Sequence, residues 1–307
     1  MKSREITTNK ARRLFNCIWR QKSKTPVCPM EPTMNGMIIA ITGGNRGIGL
    51  ETTKGLIARG AEVIILARSG KTVASFVQES KGRAHFVSLD LADISSVEKT
   101  IEDLKLILNG RKIDKLINNA GIALNEPHRL SPQGYELTFA VNVLGHHALF
   151  VQCDTASLLS PKVQIIAVTG DLYIQAEACT PDYTYKGNSG NAAYARSKLG
   201  VMWWAYECSR LFPNYQVNIV HPGAVLTGLG GGAGPIARSI LKSITLTPKE
   251  GAQMSLICAT QPEIESGAYY HNTVGQAVLS KDDIALDRKK SRDFWNMLDQ
   301  IYKTIYA

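Results

Sequence analysis

Apolar residues along the chain change period repeatedly. Short apolar runs at 37–42, 62–67, 84–88, 114–118, 163–169 and 216–221 read as strands. Between them, apolar residues fall at helical spacing near 48–59, 93–107, 134–151 and 192–211. Strand–helix alternation of this kind predicts a doubly wound, Rossmann-like parallel α/β sheet covered on both faces, in a single domain over 36–307. Ligands of such sheets sit beyond the C-terminal strand ends, so residues just after each strand are the candidates for chemistry.

Residues 1–35 read as a basic amphipathic tail and linker. Between Lys10 and Gln21 the apolar residues Ala11, Leu14, Phe15, Ile18 and Trp19 recur at i, i+3, i+4 and i+7, with arginines around them. Three uses fit this pattern: peripheral contact of residues 10–21 with a membrane surface, an organelle-import presequence, or a helix docked on the body (a disordered tail being the plainer case). Compartment stays open accordingly, between cytoplasm, membrane surface and an organelle. Thr25-Pro26-Val27-Cys28-Pro29-Met30-Glu31-Pro32 then reads as the linker.

Charge narrows the classes. The first 30 residues hold eight Lys or Arg against Glu5 alone, net +7, which leaves +2 of the total +9 for the other 277. A basic groove for nucleic acid along the body is not expected. No run approaches the roughly 20 apolar residues of a membrane-spanning helix. Six cysteines, at 17, 28, 153, 179, 208 and 258, are scattered without metal spacing, so free thiols and no metal are expected. The pattern is compatible with a homo-oligomer and does not define one.

The sharpest local signal is Thr42-Gly43-Gly44-Asn45-Arg46-Gly47-Ile48-Gly49. A strand feeds this turn and a helix leaves it, the arrangement that cradles a dinucleotide pyrophosphate on backbone N–H groups and a helix N-terminus. Glycine spacing alone also describes an empty turn. Where an NAD site would place an acid on the ribose 2′-hydroxyl, this chain has Arg68, and Arg46 lies in the loop itself. Two guanidiniums suit a 2′-phosphate and predict NADP(H), although solvated surface arginines are the simpler account. Asp90 after the third strand is placed to reach an adenine amino group or to cap the next helix. Asn118-Asn119-Ala120-Gly121 lets the backbone pass close to a ligand. Tyr194 and Lys198, at i and i+4, share a helix face about 5–6 Å apart. An ammonium there favours phenolate and predicts a Tyr194 pKa lowered towards the working range.

In order, Thr42-Gly-x-x-x-Gly-x-Gly, Asn118-Asn119-Ala120-Gly121, Asn142-Val143-Leu144-Gly145, Tyr194-x-x-x-Lys198 and His221-Pro222-Gly223-Ala224-Val225-Leu226-Thr227 resemble the short-chain dehydrogenase/reductase family across roughly 36–300. Thr138-Phe139-Ala140-Val141-Asn142, Thr247-Pro248-Lys249-Glu250-Gly251-Ala252 and the closing Asp293-Phe294-Trp295 helix look most like its retinol dehydrogenase-like and WW-domain-oxidoreductase-like branch. The resemblance implies that Gly43, Asn45, Arg46, Gly47, Ile48, Gly49, Arg68, Asp90 and Asn119 hold the cofactor. It implies Tyr194 as general acid/base and Lys198 as the ribose contact that tunes it. Asn142 would hold a relay water, and Pro222, Gly223, Val225 and Thr227 would hold the nicotinamide amide. The cofactor would carry the hydride, the protein its orientation.

One departure stands out. The family has a Ser just after the fifth strand, and this chain reads Ala167-Val168-Thr169-Gly170-Asp171-Leu172. Thr169 is the candidate replacement hydroxyl. Asp171 serves only if protonated, because a carboxylate cannot donate to a developing oxyanion. The loop from Ile174 to Asn191, with Tyr183 and Tyr185, is placed to cover the substrate. The glycine-rich segment 225–245, with Ile236, Ile240 and Leu241, suits a lipophilic one. His146, His147, Trp203 and Trp204 read as packing or surface residues. The expectation is an NADP(H)-dependent oxidoreductase of lipophilic carbonyls or alcohols, the alternative a cofactor-binding regulatory or scaffold protein with a weakened site.

Overall fold

The computed structural model describes residues 3–19, 21–124, 129–181, 190–225 and 244–306. In chain order the elements begin with β1 (Arg4–Glu5), α1 (Lys10–Trp19) and α2 (Gln21–Lys24). Next come β2 (Ile38–Thr42), α3 (Gly47–Ile57), β3 (Glu62–Ala67), α4 (Ala74–Glu79), β4 (Ala84–Ser88), α5 (Ser96–Leu108) and β5 (Ile113–Asn118). A composite helix follows: α6 (Leu137–Phe139), a π-turn over Ala140–Leu144, and α7 (Gly145–Thr155). Then run β6 (Leu159–Val168), α8 (Gly190–Leu211), β7 (Gln216–His221), α9 (Pro248–Gly251), α10 (Gln253–Thr260), β8 (Ala268–His271), β9 (Gly275–Val278) and α11 (Arg288–Ile305).

The nine strands form one sheet in the order β1-β9-β8-β7-β6-β5-β2-β3-β4, parallel except at the β8–β9 pair. Side chains of one strand serve both faces. Ile38, Ala40, Ile64 and Leu66 enter one apolar layer, while Ile39, Ile41, Val63 and Ile65 enter the other. That two-sided burial is why these strands are apolar throughout instead of alternating. The chain order reverses where β2 meets β5, which opens the crevice beyond their C-terminal ends. The amphipathic α11 starts at an Asp287 cap that accepts from Lys290 N–H, and it buries Phe294, Trp295 and Leu298 beside α8.

The six predicted strands are all present, and β1, β8 and β9 are additional. Residues 1–35, expected as tail and linker, contribute to the fold. Arg4 and Glu5 pair in parallel with Ala277 and Val278 of β9. Helix α1 is docked, with Arg13 only 4% exposed, and Gln21 at the head of α2 is fully buried. Leu14 against the core and Arg13 on Asp171 dock this helix, and the period of the pattern does not say against what. Among the described residues no helix is long and apolar enough to cross a membrane.

Candidate active site

The glycine loop joins β2 to α3 at the crevice. Gly43 and Gly47 adopt φ of +65° and +55°, which only glycine takes at little cost. A Cβ on Gly49 would stand 2.2 Å from the Gly43 carbonyl oxygen, so the turn closes only without one. Helix α3 starts with no side-chain cap, leaving its first N–H groups directed at the crevice. These features fit a dinucleotide pyrophosphate. Asn45 ties the loop to the end of β3, donating to Ser69 O at 3.0 Å and accepting on its own carbonyl from Thr72 Oγ1. Arg46 and Arg68 stand exposed on the two loops so joined, and neither pairs with an acid among the described residues.

Beyond β5, Asn119 closes the loop from behind. Its amide Nδ2 donates to Thr42 O at 2.8 Å and its N–H to Thr42 Oγ1 at 3.0 Å. Asp90 turns its carboxylate back on its own loop, accepting from Ala92 N–H, and α5 begins later, at Ser96, so Asp90 is not its cap. Val225 pairs with Leu246 in an isolated bridge. A Cβ on Gly251 would meet both Val225 Cγ2 and Ile48 Cγ1, so the loop after β7 abuts the glycine loop. Thr227, Tyr183, Tyr185, Ile236, Ile240 and Leu241 lie outside the described residues.

The first turns of α8 deliver Tyr194 and Lys198. The Lys198 Nζ lies 5.3 Å from the Tyr194 ring centre and donates to Val168 O at 3.0 Å. Across the crevice the π-turn presents Asn142. Its Oδ1 accepts from Ile122 N–H at 2.8 Å, and its Nδ2 donates to Ile122 O and to Ser197 Oγ. Ser197 in turn donates to Tyr194 O, so one polar chain fixes Asn142 against the turn of α8 that carries Tyr194 and Lys198. A Cβ on Gly121 would lie 3.4 Å from Asn142 Oδ1 and 3.6 Å from Lys198 Nζ, which places all three residues together.

Electrostatics here differ from the sequence expectation. Burial pushes the Tyr194 phenol up to about 12 and the Lys198 ammonium down to about 8. The amine is committed to the Val168 carbonyl, and desolvation alone sets the direction of the shift on the phenol. Tyr194 is held as the neutral phenol, a proton donor.

Thr169 is not a substrate hydroxyl in this structure. It is 2% exposed, and its Oγ1 donates to Lys198 O at 3.0 Å, which anchors α8 from behind. The position that faces the phenol is Gly170, where a Cβ would stand 3.8 Å from Tyr194 Oη. Asp171 is committed as well. It accepts from Arg13 Nη2 at 2.6 Å, Tyr269 Oη at 2.8 Å and His271 Nε2 at 2.9 Å. Burial alone would raise its pKa, yet His221, His271 and Arg13 hold it well below the usual carboxylate range. Asp171, His221 and His271 have metal-like spacing, but the donors do not fit an ion. His271 Nδ1 accepts from Thr273 N–H, so its Nε2 carries a proton towards Asp171, and Arg13 already supplies the positive charge.

His146, expected as a packing or surface residue, is buried and hydrogen-bonded at both ring nitrogens. Its Nδ1 lies 3.1 Å from Asn142 O, an acceptor, so Nδ1 carries the proton and Nε2 accepts from Thr42 Oγ1 at 2.9 Å. Burial lowers its pKa to about 4 and keeps it neutral. His146 thus couples the residue before the glycine loop to the residue that holds α8. His147, Trp203 and Trp204 are buried packing residues, with Trp204 Nε1 donating to His147 Nδ1. The five described cysteines are buried and free.

A crevice at the strand reversal, a glycine turn before an uncapped helix and a Tyr-x-x-x-Lys turn opposite Asn142 define a class of nicotinamide-dependent oxidoreductase. The chain belongs to the short-chain dehydrogenase/reductase family: the short chain dehydrogenase model matches residues 37–235. Within the family it sits on the retinol dehydrogenase-like branch. It is 30% identical to retinol dehydrogenase 14 of Mus musculus over 290 residues, covering 86% of this chain and 85% of that one. Retinol dehydrogenase 13 of Homo sapiens is 30% identical over 289 residues, 87% and 85% of the two chains. Polyprenol dehydrogenase of Homo sapiens is 32% identical over 290 residues, 87% and 86%. Among solved structures, a blue fluorescent protein from a metagenomic library, in complex with NADPH, has the same fold at a TM-score of 0.63 and 24% identity, covering 80% of this chain and 99% of that one.

Proposed function

We propose that the chain is an NADP(H)-dependent oxidoreductase that moves hydride between the nicotinamide and a lipophilic carbonyl or alcohol. The observation that carries this reading is the meeting of Tyr194, Lys198 and Asn142 at the crevice that the glycine loop opens onto. Arg46 and Arg68, exposed on loops joined through Asn45, support a 2′-phosphate over a bare ribose, and a structural neighbour binds NADPH. The names of the relatives, retinol and polyprenol dehydrogenases, support a lipophilic alcohol or its carbonyl.

Bound NADPH supplies the hydride. The chain does the rest: Tyr194 Oη gives its proton to the carbonyl oxygen in reduction and takes it back in alcohol oxidation. Lys198 would hold the nicotinamide ribose and place a positive charge beside the phenol. Asn142 fixes the turn of α8 that carries the phenol, through its bond to Ser197 Oγ and that of Ser197 to Tyr194 O. An assay of NADPH oxidation over aldehydes and ketones tests the reading. Tyr194→Phe should remove turnover while NADPH binding persists, and tight binding without Tyr194-dependent turnover on any substrate refutes it. Arg46→Ala with Arg68→Ala should erase the preference for NADPH over NADH.

A second reading, a cofactor-binding regulatory or scaffold protein, rests on Gly170 at the place where a donor would face Tyr194. Peripheral membrane contact is part of our proposal too. Phe15 and Trp19 are exposed and stacked at 6.0 Å on the outer face of α1, beside exposed Lys10, Arg12, Lys22 and Lys24. Co-sedimentation with anionic vesicles should occur and should fail for Phe15→Ser/Trp19→Ser.

A further inference from the structure

Gln21 lies outside the segment that matches the family, yet its side chain is built into the loop after β7, the stretch that the resemblance to the family assigns to the nicotinamide. It is fully buried, and every hydrogen of its amide is used. Gln21 Oε1 accepts from Ala224 N–H at 2.9 Å while Nε2 donates to Ala224 O at 3.1 Å, the two-point pairing a strand peptide would make. The second Nε2 hydrogen goes to Ile244 O at 2.9 Å. Ala224 O also accepts from Leu246 N–H, so one glutamine clasps both ends of the segment that leaves at Val225 and returns at Ile244.

The clasp is held in place from both sides. Upstream, Arg13 is fixed on Asp171. Downstream, Thr25 Oγ1 donates to Gln21 O and accepts from Asn272 Nδ2, while Cys28 N–H donates to Gln253 Oε1. Gly223 shows how tightly this fits: at φ +93° a Cβ would stand 2.6 Å from Asn272 Nδ2 and 2.9 Å from Gln21 Oε1. The clasped residues run directly into Val225, which packs against Gly251 next to Ile48 of the glycine loop.

We propose that Gln21 is a positioning residue for the nicotinamide half of the cofactor, so that the oxidoreductase is completed by its N-terminal segment and not by residues 37–235 alone. This rests on the functional reading above. Its chemistry is specific. A carboxylate of the same shape would turn an oxygen on the carbonyls of Ala224 and Ile244 in place of two N–H groups, and asparagine is one methylene too short to reach both.

The experiment compares full-length wild type with Gln21→Glu and Gln21→Met. Affinity for NADPH and for 2′,5′-ADP, which lacks the nicotinamide half, is measured by calorimetry, and amide exchange across residues 219–225 is followed without ligand. The expected result is a tenfold or larger loss of NADPH affinity, with 2′,5′-ADP changed less than about threefold, and lost protection at Ala224. Turnover should lose kcat more than KM. NADPH and 2′,5′-ADP affinities that change by the same factor or not at all, with unchanged exchange at Ala224 in a folded variant, overturn the proposal. If Gln21→Glu does not fold, Gln21→Met decides by the same criteria. Wild type that binds NADPH without turnover refutes the enzymatic reading but leaves the affinity ratio to judge Gln21.

Discussion

Residues 169–171 offer a substrate no side-chain donor: Thr169 is turned into α8, Gly170 has no side chain, and Asp171 is an ionised acceptor. Gly170 has φ −162°, an extended backbone open to any residue, and its Cβ direction meets only ordinary contacts. Gly170→Ser should therefore add a hydroxyl beside Tyr194 without strain. We expect kcat to rise, by up to the roughly 10²–10³ that one oxyanion donor is worth. A folded Gly170→Ser protein with unchanged kcat would mean that the wild-type site already stabilises the oxyanion by other means. Lys198 makes a separate prediction about stability. Its folded pKa of about 8 lies below the ordinary 10.5, so the charged form is disfavoured by folding and the cost is fully present below pH 8. Lys198→Met should abolish turnover and yet raise stability at pH 7 by up to about 3 kcal/mol, less the bond to Val168 O. That gain should shrink as pH climbs from 8 towards 10.5, which thermal unfolding at two pH values would reveal.

At the scale of elements, α1 is anchored by Arg13, paired closely with Asp171 at 2.6 Å and more loosely with Asp283 at 3.5 Å. Arg13 and Asp171 are 4% and 2% exposed, with Tyr173 and Tyr269 rings around the guanidinium. Arg13→Ala leaves a buried carboxylate without its cation, at a cost of about 3–5 kcal/mol. Adding Asp171→Asn should restore part of that loss, because the stranded charge is gone. Urea unfolding of both variants measures the difference, and a cost below about 1 kcal/mol would show that α1 is docked by its apolar contacts instead. This pair also marks where the sequence stopped being legible. Asp171 could be singled out from its place after the fifth predicted strand (β6), and Arg13 from its helix, but 158 positions separate them and no local pattern joins them. Strands and long helices were readable because their period is local. The partners of Thr169, Asp171, His146 and Gln21 are tertiary, and so the role of each had to come from coordinates.

For the molecule as a whole, buried histidines govern behaviour in acid. His221 and His146 have folded pKa values near 3 and 4, both lowered chiefly by burial, against 6.5 in the unfolded chain. Bases depressed in this way contribute stability above pH 6.5 that is lost as pH falls towards 4. Each histidine should add about 1.4 kcal/mol per pH unit to the slope between those limits. Denaturant midpoints at pH 6.5, 5.5 and 4.5 should fall accordingly, and His146→Gln should flatten the slope by about one proton. The doubly wound sheet was legible from the alternation of strand and helix, while β8 and β9 were not, being only four residues each. Strand β1 has a consequence of a different kind. A parallel sheet ends in a row of unpaired backbone groups, an invitation to foreign strands. Here Arg4 and Glu5 cover the outer side of β9, where Val278 is half exposed, and they place two opposite charges on the rim. The chain covers that border of its sheet with its own charged strand, which disfavours the addition of a foreign strand there.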